Sequence, residues 1–307
     1  FISRWASILL RRALLSQSRT PTDINGADWV AARAWLLLRM GEADNARRLI
    51  QDVDSDQYTK SLYGVAMQTY LATADPAGFC GLLPRARDFS KEPSWFMAQA
   101  ICASFAADQK TASNLLHQAA RRGIAPGIDY RLAEKVVGAG PDSRRSVDID
   151  WTGVGRLTTW RFGLATATNV TIPPALYGTA GLQVRAWEAQ APTLDLVTRR
   201  RGTEVATRLG VFSGAAALSY YDQLAALPDA NSDARDIGDL LNTAYHGPTI
   251  LGRVKAMHSF WTRSPVNGNA ASGPGGVYNG ALPVIARAAA AVPPTSAIAD
   301  DAPWVIA

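Results

Sequence analysis

The side chains that most often carry acid–base, nucleophilic or metal chemistry are few in this sequence and poorly spaced for it. The histidines are His117, His246 and His258, and the cysteines are Cys80 and Cys102. Structural zinc draws its Cys and His ligands from short paired spacings, and these residues do not supply such a set. His117 follows the apolar pair Leu115-Leu116 and reads as the edge of a helix surface, while His246, ahead of Gly247-Pro248, reads as a helix C-terminal cap. His258 stands two residues before Phe260-Trp261, reads as partly buried and has no acidic or thiol ligand one turn on. The string closest to a nucleophile elbow, Gly210-Val211-Phe212-Ser213-Gly214, has the wrong spacing and no preceding strand. No lysine has a serine three residues before it, and no glycine-rich phosphate cradle of the P-loop or dinucleotide type occurs. Asp148, Asp150, Glu188 and Asp300-Asp301 are carboxylates with no cleft to pair them as an acid and a base. The sequence therefore predicts no catalytic residue, no metal and no cofactor.

The residues that do recur are structural, and they recur at a fixed period. Shifting residues 27–123 by 33 aligns Trp29 with Leu62 and Trp95, Ala32 with Val65 and Ala98, and Ala46 with Phe79 and Ala112. Leu49, Leu82 and Leu115 fall in register, as do Ile50, Leu83 and Leu116, and the small residues Gly41, Ala74 and Ala107 recur where two helices would turn. Trp29, Ala32 and Leu36 follow helical spacing, and so do Ala46, Leu49 and Ile50, so each period is a helical hairpin with one apolar face per helix. Such a face is buried only by stacking against neighbouring hairpins.

This pattern resembles tetratricopeptide-like repeats, whose small residues in the middle of the first helix and at the start of the second allow close approach. Here those are Ala34 and Ala46 in the first unit and Ala100, Ala112 and Ala119 in the third; the middle unit departs with Met67 and Phe79, and no unit carries the family's closing proline. The resemblance covers about a third of the chain and implies an all-α, right-handed solenoid of antiparallel hairpins, here called TPR-like. In that register Cys80 lies on the second helix of unit two and Cys102 on the first helix of unit three, helices that are neighbours in such a stack. A Cys80–Cys102 disulfide is therefore expected, with two buried free thiols as the other reading; the disulfide would place the chain in an oxidising compartment such as the periplasm.

After Gly123 the strict period ends, but the pattern still reads as helices at 129–137, 153–167, 174–190, 203–209, 213–227, 233–245, 249–263 and 277–292. A short strand or extended linker is read at 146–151, and 264–276 has the composition of a loop. The expected organisation is a repeat region at 1–140, a linker at 141–152, and a continuing irregular stack at 153–307. A chain that starts at Phe1 and ends within an apolar pattern reads as a piece of a longer protein.

With 48% apolar and 19% charged residues the chain has the composition of a folded protein. Its longest charge-free stretches, 162–184 and 264–286, are broken by proline and glycine, so no transmembrane segment is expected. The net charge of +5 is almost all arginine, spread as pairs along the chain and not gathered into the basic stripe of a nucleic-acid binder. The densest cluster, Arg199, Arg200 and Arg201, reads as a solvated helix end, with a phosphate, an anionic lipid or a partner as the functional alternative. Among nine tryptophans, Trp29 and Trp95 hold the repeat's packing position, whereas Trp35 aligns with Gln68 and Ile101 and is expected to face a groove. The expected function is that of a non-catalytic scaffold that binds other proteins as a subunit of a larger bacterial cell-envelope assembly in the periplasm. The alternatives are the superhelical accessory region of a lytic transglycosylase-like enzyme and a cytoplasmic adaptor.

Overall fold

The computed structural model describes residues 4–141, 143, 146–262 and 282–293. The fold is all-α, and no strand occurs among the described residues. The chain forms two compact units, one of Ala6–Asp195 and one of the segment from Leu196 onward together with Arg4 and Trp5. The division between the two units falls after Asp195.

The amino-terminal unit contains most of α1 (Arg4–Leu15), then α2 (Gly26–Met40), α3 (Ala43–Gln51), α4 (Lys60–Ala72), α5 (Leu83–Phe89), α6 (Pro93–Phe105) and α7 (Gln109–Arg122). It continues with α8 (Ile128–Gly138), α9 (Thr159–Ala167), α10 (Pro174–Tyr177) and α11 (Leu182–Gln190). Local chemistry sets many of these ends. Asn25, Thr59, Asp108 and Thr158 place side-chain oxygens on the free N–H groups of α2, α4, α7 and α9. Thr158, preceded by Gly153 at φ +75°, makes α9 start later than the expected 153. Gly178 and the extended Gly181 split the expected 174–190 helix in two.

The three small turn residues adopt one geometry. Gly41, Ala74 and Ala107 are all left-handed, at φ 90°, 52° and 61°. After each, an acidic residue donates its backbone N–H back into the helix: Glu42 to Leu37, Asp75 to Tyr70 and Asp108 to Ala103. This is the Schellman closure. Alanine in the left-handed region carries a steric cost of roughly 1 kcal/mol that glycine avoids. Ala74→Gly and Ala107→Gly are each expected to stabilise the chain by about that amount, read as a raised denaturation midpoint; a lowered midpoint for both would contradict the turn geometry.

The tertiary arrangement departs from a simple stack. Helix α2 packs on α3 and α4, and α6 packs on α7 and α8, but α9 fits against both α4 and α8, and α11 returns to α2, α3 and α9. Trp187 Nε1 donates to the carbonyl of Leu38 at 3.3 Å, and Gln190 Nε2 to that of Gly41 at 2.6 Å. Helix α11 therefore closes back onto the first hairpin, while α9 lies against α4 and α8, and Phe162, Leu164 and Trp187 are buried in the core of this unit. Between α4 and α6, Tyr63 meets Trp95 edge-on at 6.0 Å and stacks on Phe89 at 5.3 Å. The expected strand at 146–151 is irregular chain, with Val147 buried and its carbonyl held by Lys135 Nζ at 2.8 Å.

The carboxy-terminal unit is a helical bundle of α12 (Leu196–Leu209), α13 (Gly214–Ala225), α14 (Ser232–His246), α15 (Ile250–Thr262) and α16 (Leu282–Ala290). Consecutive helices α12 to α15 pack pairwise, and α16 covers α13 and α15. Tyr221, Leu241, Met257 and Phe260 form its centre, with Tyr221 and Phe260 edge to face at 5.9 Å. The Tyr220 hydroxyl donates to the carbonyl of Leu196 at 2.6 Å, and that of Tyr245 to Val284 at 2.5 Å.

Candidate functional site

The sequence singled out Trp35, the two cysteines and the arginine triplet; Trp35 and the cysteines belong to the amino-terminal unit and the arginine triplet to the carboxy-terminal unit. Trp35 lies on the outer stripe of α2 with Ala32 and Arg39, 53% exposed. The stripe is outward because Ala27, Ala31, Ala34, Leu37 and Leu38 occupy the opposite face and fill the core. The Arg39 guanidinium lies 5.9 Å from the Trp35 ring, a cation–π arrangement that holds the indole against the helix. Trp95 is buried, whereas Trp29 is only half-buried, with its indole N–H directed to the Ser18 hydroxyl at 3.4 Å. Of the aligned positions of Trp35, Gln68 is exposed and Ile101 fully buried.

Cys80 and Cys102 are joined by a disulfide with Cα atoms 5.6 Å apart. Cys80 opens a 3-10 turn, Cys80–Leu82, that leads into α5, and so does not sit on a regular second helix as the register implied. Cys102 on α6 borders an open cleft of about 740 Å³ whose other walls are Leu83, Arg87 and Lys91 around α5 and Thr111 and Leu115 on α7. Arg87 Nη1 donates to Gln99 Oε1 across its rim at 3.1 Å.

The arginine triplet, read from the sequence as a solvated helix end, lies within α12, near its N-terminal end. Cations there oppose the positive end of the helix dipole, and nearby acids offset them: Arg200 Nη1 is 2.6 Å from Asp233 on α14, and its Nε is 3.9 Å from Glu204 one turn on. The Nε atoms of Arg199 and Arg200 are buried without a hydrogen-bond acceptor. Burial pushes the Glu204 carboxyl up to about 7; Arg200 and Arg201 draw it down and Asp233 pushes it further up.

The sign of the pH effect follows from that shift. A carboxyl whose pKa is higher folded than unfolded binds its proton more tightly in the native state, so stability falls as pH rises from about 4.5 toward 7 and is then level. At roughly 1.4 kcal/mol per unit, Glu204 contributes a loss on the order of 3 kcal/mol across that range. Urea unfolding of the full chain at pH 5 and pH 8 is expected to show it, and Glu204→Gln to remove it. An unchanged pH dependence in the variant would show that Glu204 is not the group responsible.

Two further buried carboxylates gave no signal in the sequence. Glu188, expected as an ordinary carboxylate, is 3% exposed; Arg185 Nη1 binds it at 2.7 Å, and that guanidinium lies 3.4 Å from the centre of the Tyr177 ring. Glu42 accepts from Arg11 at 2.8 Å and Asn45 at 2.7 Å, and burial still raises its pKa. Glu42 ties α1 to the start of α3, and the Arg185–Glu188 pair within α11 holds the Tyr177 ring of α10 against it. His117, His246 and His258 are all exposed, which corrects the expectation that His258 is partly buried. No group of three or more potential metal ligands, and no helix long and apolar enough to cross a membrane, occurs among the described residues. Asp300-Asp301 and the 264–276 loop lie outside the described residues.

These features define an all-α protein of packed helices with an exposed aromatic–arginine pair. The chain matches no protein-family model, and no curated protein or solved structure shows significant similarity to it.

Proposed function

We propose that this chain is a non-catalytic helical scaffold that binds another protein through the outer face of α2, as a subunit of a larger assembly in a bacterial cell envelope. The observation that carries the reading is Trp35, a large aromatic side chain 53% exposed and braced by Arg39 on a helix that already buries its other face. Tryptophan and arginine are the residues most enriched at the energetic centres of protein interfaces. The TPR-like relationship and right-handed stacking of α2 to α7 belong to this proposal, supported by the turn that recurs every 33 residues at Gly41, Ala74 and Ala107. Periplasmic residence is likewise proposed, supported by the Cys80–Cys102 disulfide.

A photoreactive amino acid placed at position 35 tests the function in the native cell. The expected result is one recurrent protein adduct, absent when the probe is moved to the exposed Gln68 on α4. Equal adducts from both positions, or none at 35, would contradict it.

A further inference from the structure

We propose that the carboxy-terminal unit carries a binding site for a small amphipathic anion, a long-chain carboxylate, in an open cavity of about 460 Å³ beside the starts of α13 and α16. That volume is in the range of small-molecule sites. Arg4 and Trp5, which belong to this unit, form one wall. Helix α16 buries Val284, Ile285 and Ala288 in the bundle, whereas Leu282 and Ala286, one turn apart on a different stripe, stay exposed and line the cavity. Gly214 and Leu218, likewise one turn apart on α13, and Tyr245 of α14 complete it. Gly214 is required where it stands: a Cβ there would run into the Pro283 carbonyl oxygen, so glycine lets the two helix starts meet beside the cavity.

The chemistry of the lining selects the ligand. Trp5 and Leu282 are large apolar side chains left exposed, and with Leu218 and Ala286 they offer a concave surface that a hydrocarbon tail would take out of water. The charged residues are Arg4 and Arg287, and no acidic residue is among the described residues of the lining. Arg4 is held in place by donating to the Thr207 carbonyl from Nη1 and to the Phe212 carbonyl from Nη2 at 3.0 Å. Those acceptors are uncharged, so they fix the guanidinium beside the cavity without cancelling its charge. Arg287 follows Ala286 on α16 and is exposed. Guanidinium groups beside an apolar hollow favour a carboxylate head joined to a hydrocarbon tail, over a cation with the same tail or an anion with a short one.

Calorimetric titration of the full chain with dodecanoate, kept below the concentration at which it forms micelles, tests this. One dodecanoate is expected to bind per chain, with hexanoate and dodecyltrimethylammonium each at least tenfold weaker. Arg287→Glu, at an exposed position, and Ala286→Trp, which fills the cavity, are each expected to weaken binding tenfold or more. Arg235→Glu, at an exposed arginine of α14 outside the lining, is expected to leave it unchanged. Independently of whether those variants fold, a brominated dodecanoate is expected to quench part of the wild-type tryptophan emission, and Trp5→Phe to lose that part. The proposal is overturned by no binding to the wild-type chain, by equal affinity for hexanoate or the cation, by equal loss in Arg235→Glu, by undiminished binding in both lining variants, or by quenching that Trp5→Phe leaves intact. Binding to anionic vesicles with none to monomeric dodecanoate would also overturn it and assign the face to a membrane.

Discussion

Replacing Gly163 with alanine is expected to destabilise the chain by about 3 kcal/mol or more. A Cβ at this position would lie 2.5 Å from the carbonyl oxygen of Leu71 and 2.7 Å from its Cα, so the obstacle is backbone of α4 and no rotamer change relieves it. Overpacking at such a crossing forces two helices apart and costs in the range of 1–3 kcal/mol or above. Helix α9 contacts both α4 and α8, so the displacement would loosen the closure of the amino-terminal unit. Gly64 on α4 supplies the control, since a Cβ there meets nothing within 4 Å. Gly64→Ala is expected to stabilise by about 0.5–1 kcal/mol through helix propensity and reduced unfolded-state freedom. Urea unfolding of both variants checks the pair; similar midpoints would mean that α9 does not cross α4 as described.

Reducing the Cys80–Cys102 disulfide, or replacing both cysteines with serine, is expected to cost about 3 kcal/mol. The bond closes a loop between residues 22 apart, and the loss of chain freedom in the unfolded state for such a loop is of that size. It also fixes the 3-10 turn ahead of α5 to α6, and α5 is a helix of only 7 residues. The denaturation midpoint of the wild-type chain should fall on adding a reductant, while the double-serine variant should start low and not respond. Labelling of two thiols per chain under denaturing, non-reducing conditions would remove both the bond and the main support for an oxidising compartment.

What was legible in the sequence was local. Gly41, Ala74 and Ala107 announced their turns because a helix ending in the left-handed region favours small residues and the period repeats them. The long helices followed from apolar spacing, and the pairing of the cysteines was one of two readings, implied by the helices that would be neighbours in the resembled repeat. Trp35 stood out because its aligned positions hold different residues. Long-range returns left no such mark. Gly163 inside a helical pattern reads as a weak helix former until α4 is known to cross it, and Gly178 and Gly181 break a helix whose apolar positions continue on either side. The burial of Glu188 and Glu204 depends on Arg185 and on Arg200 with Asp233, and packing brought Asp233 there from another helix.

On the proposed function, the chain works by holding another protein at Trp35. Native mass spectrometry of the full-length protein purified from its own cells, wild type beside Trp35→Glu, tests it most directly. The wild-type chain is expected to travel with one recurrent protein at fixed stoichiometry, and Trp35→Glu to be recovered alone with an unchanged thermal midpoint, since the replaced side chain is 53% exposed and off the core. A wild-type chain recovered alone, or a Trp35→Glu chain that keeps the same protein at the same stoichiometry, would contradict it.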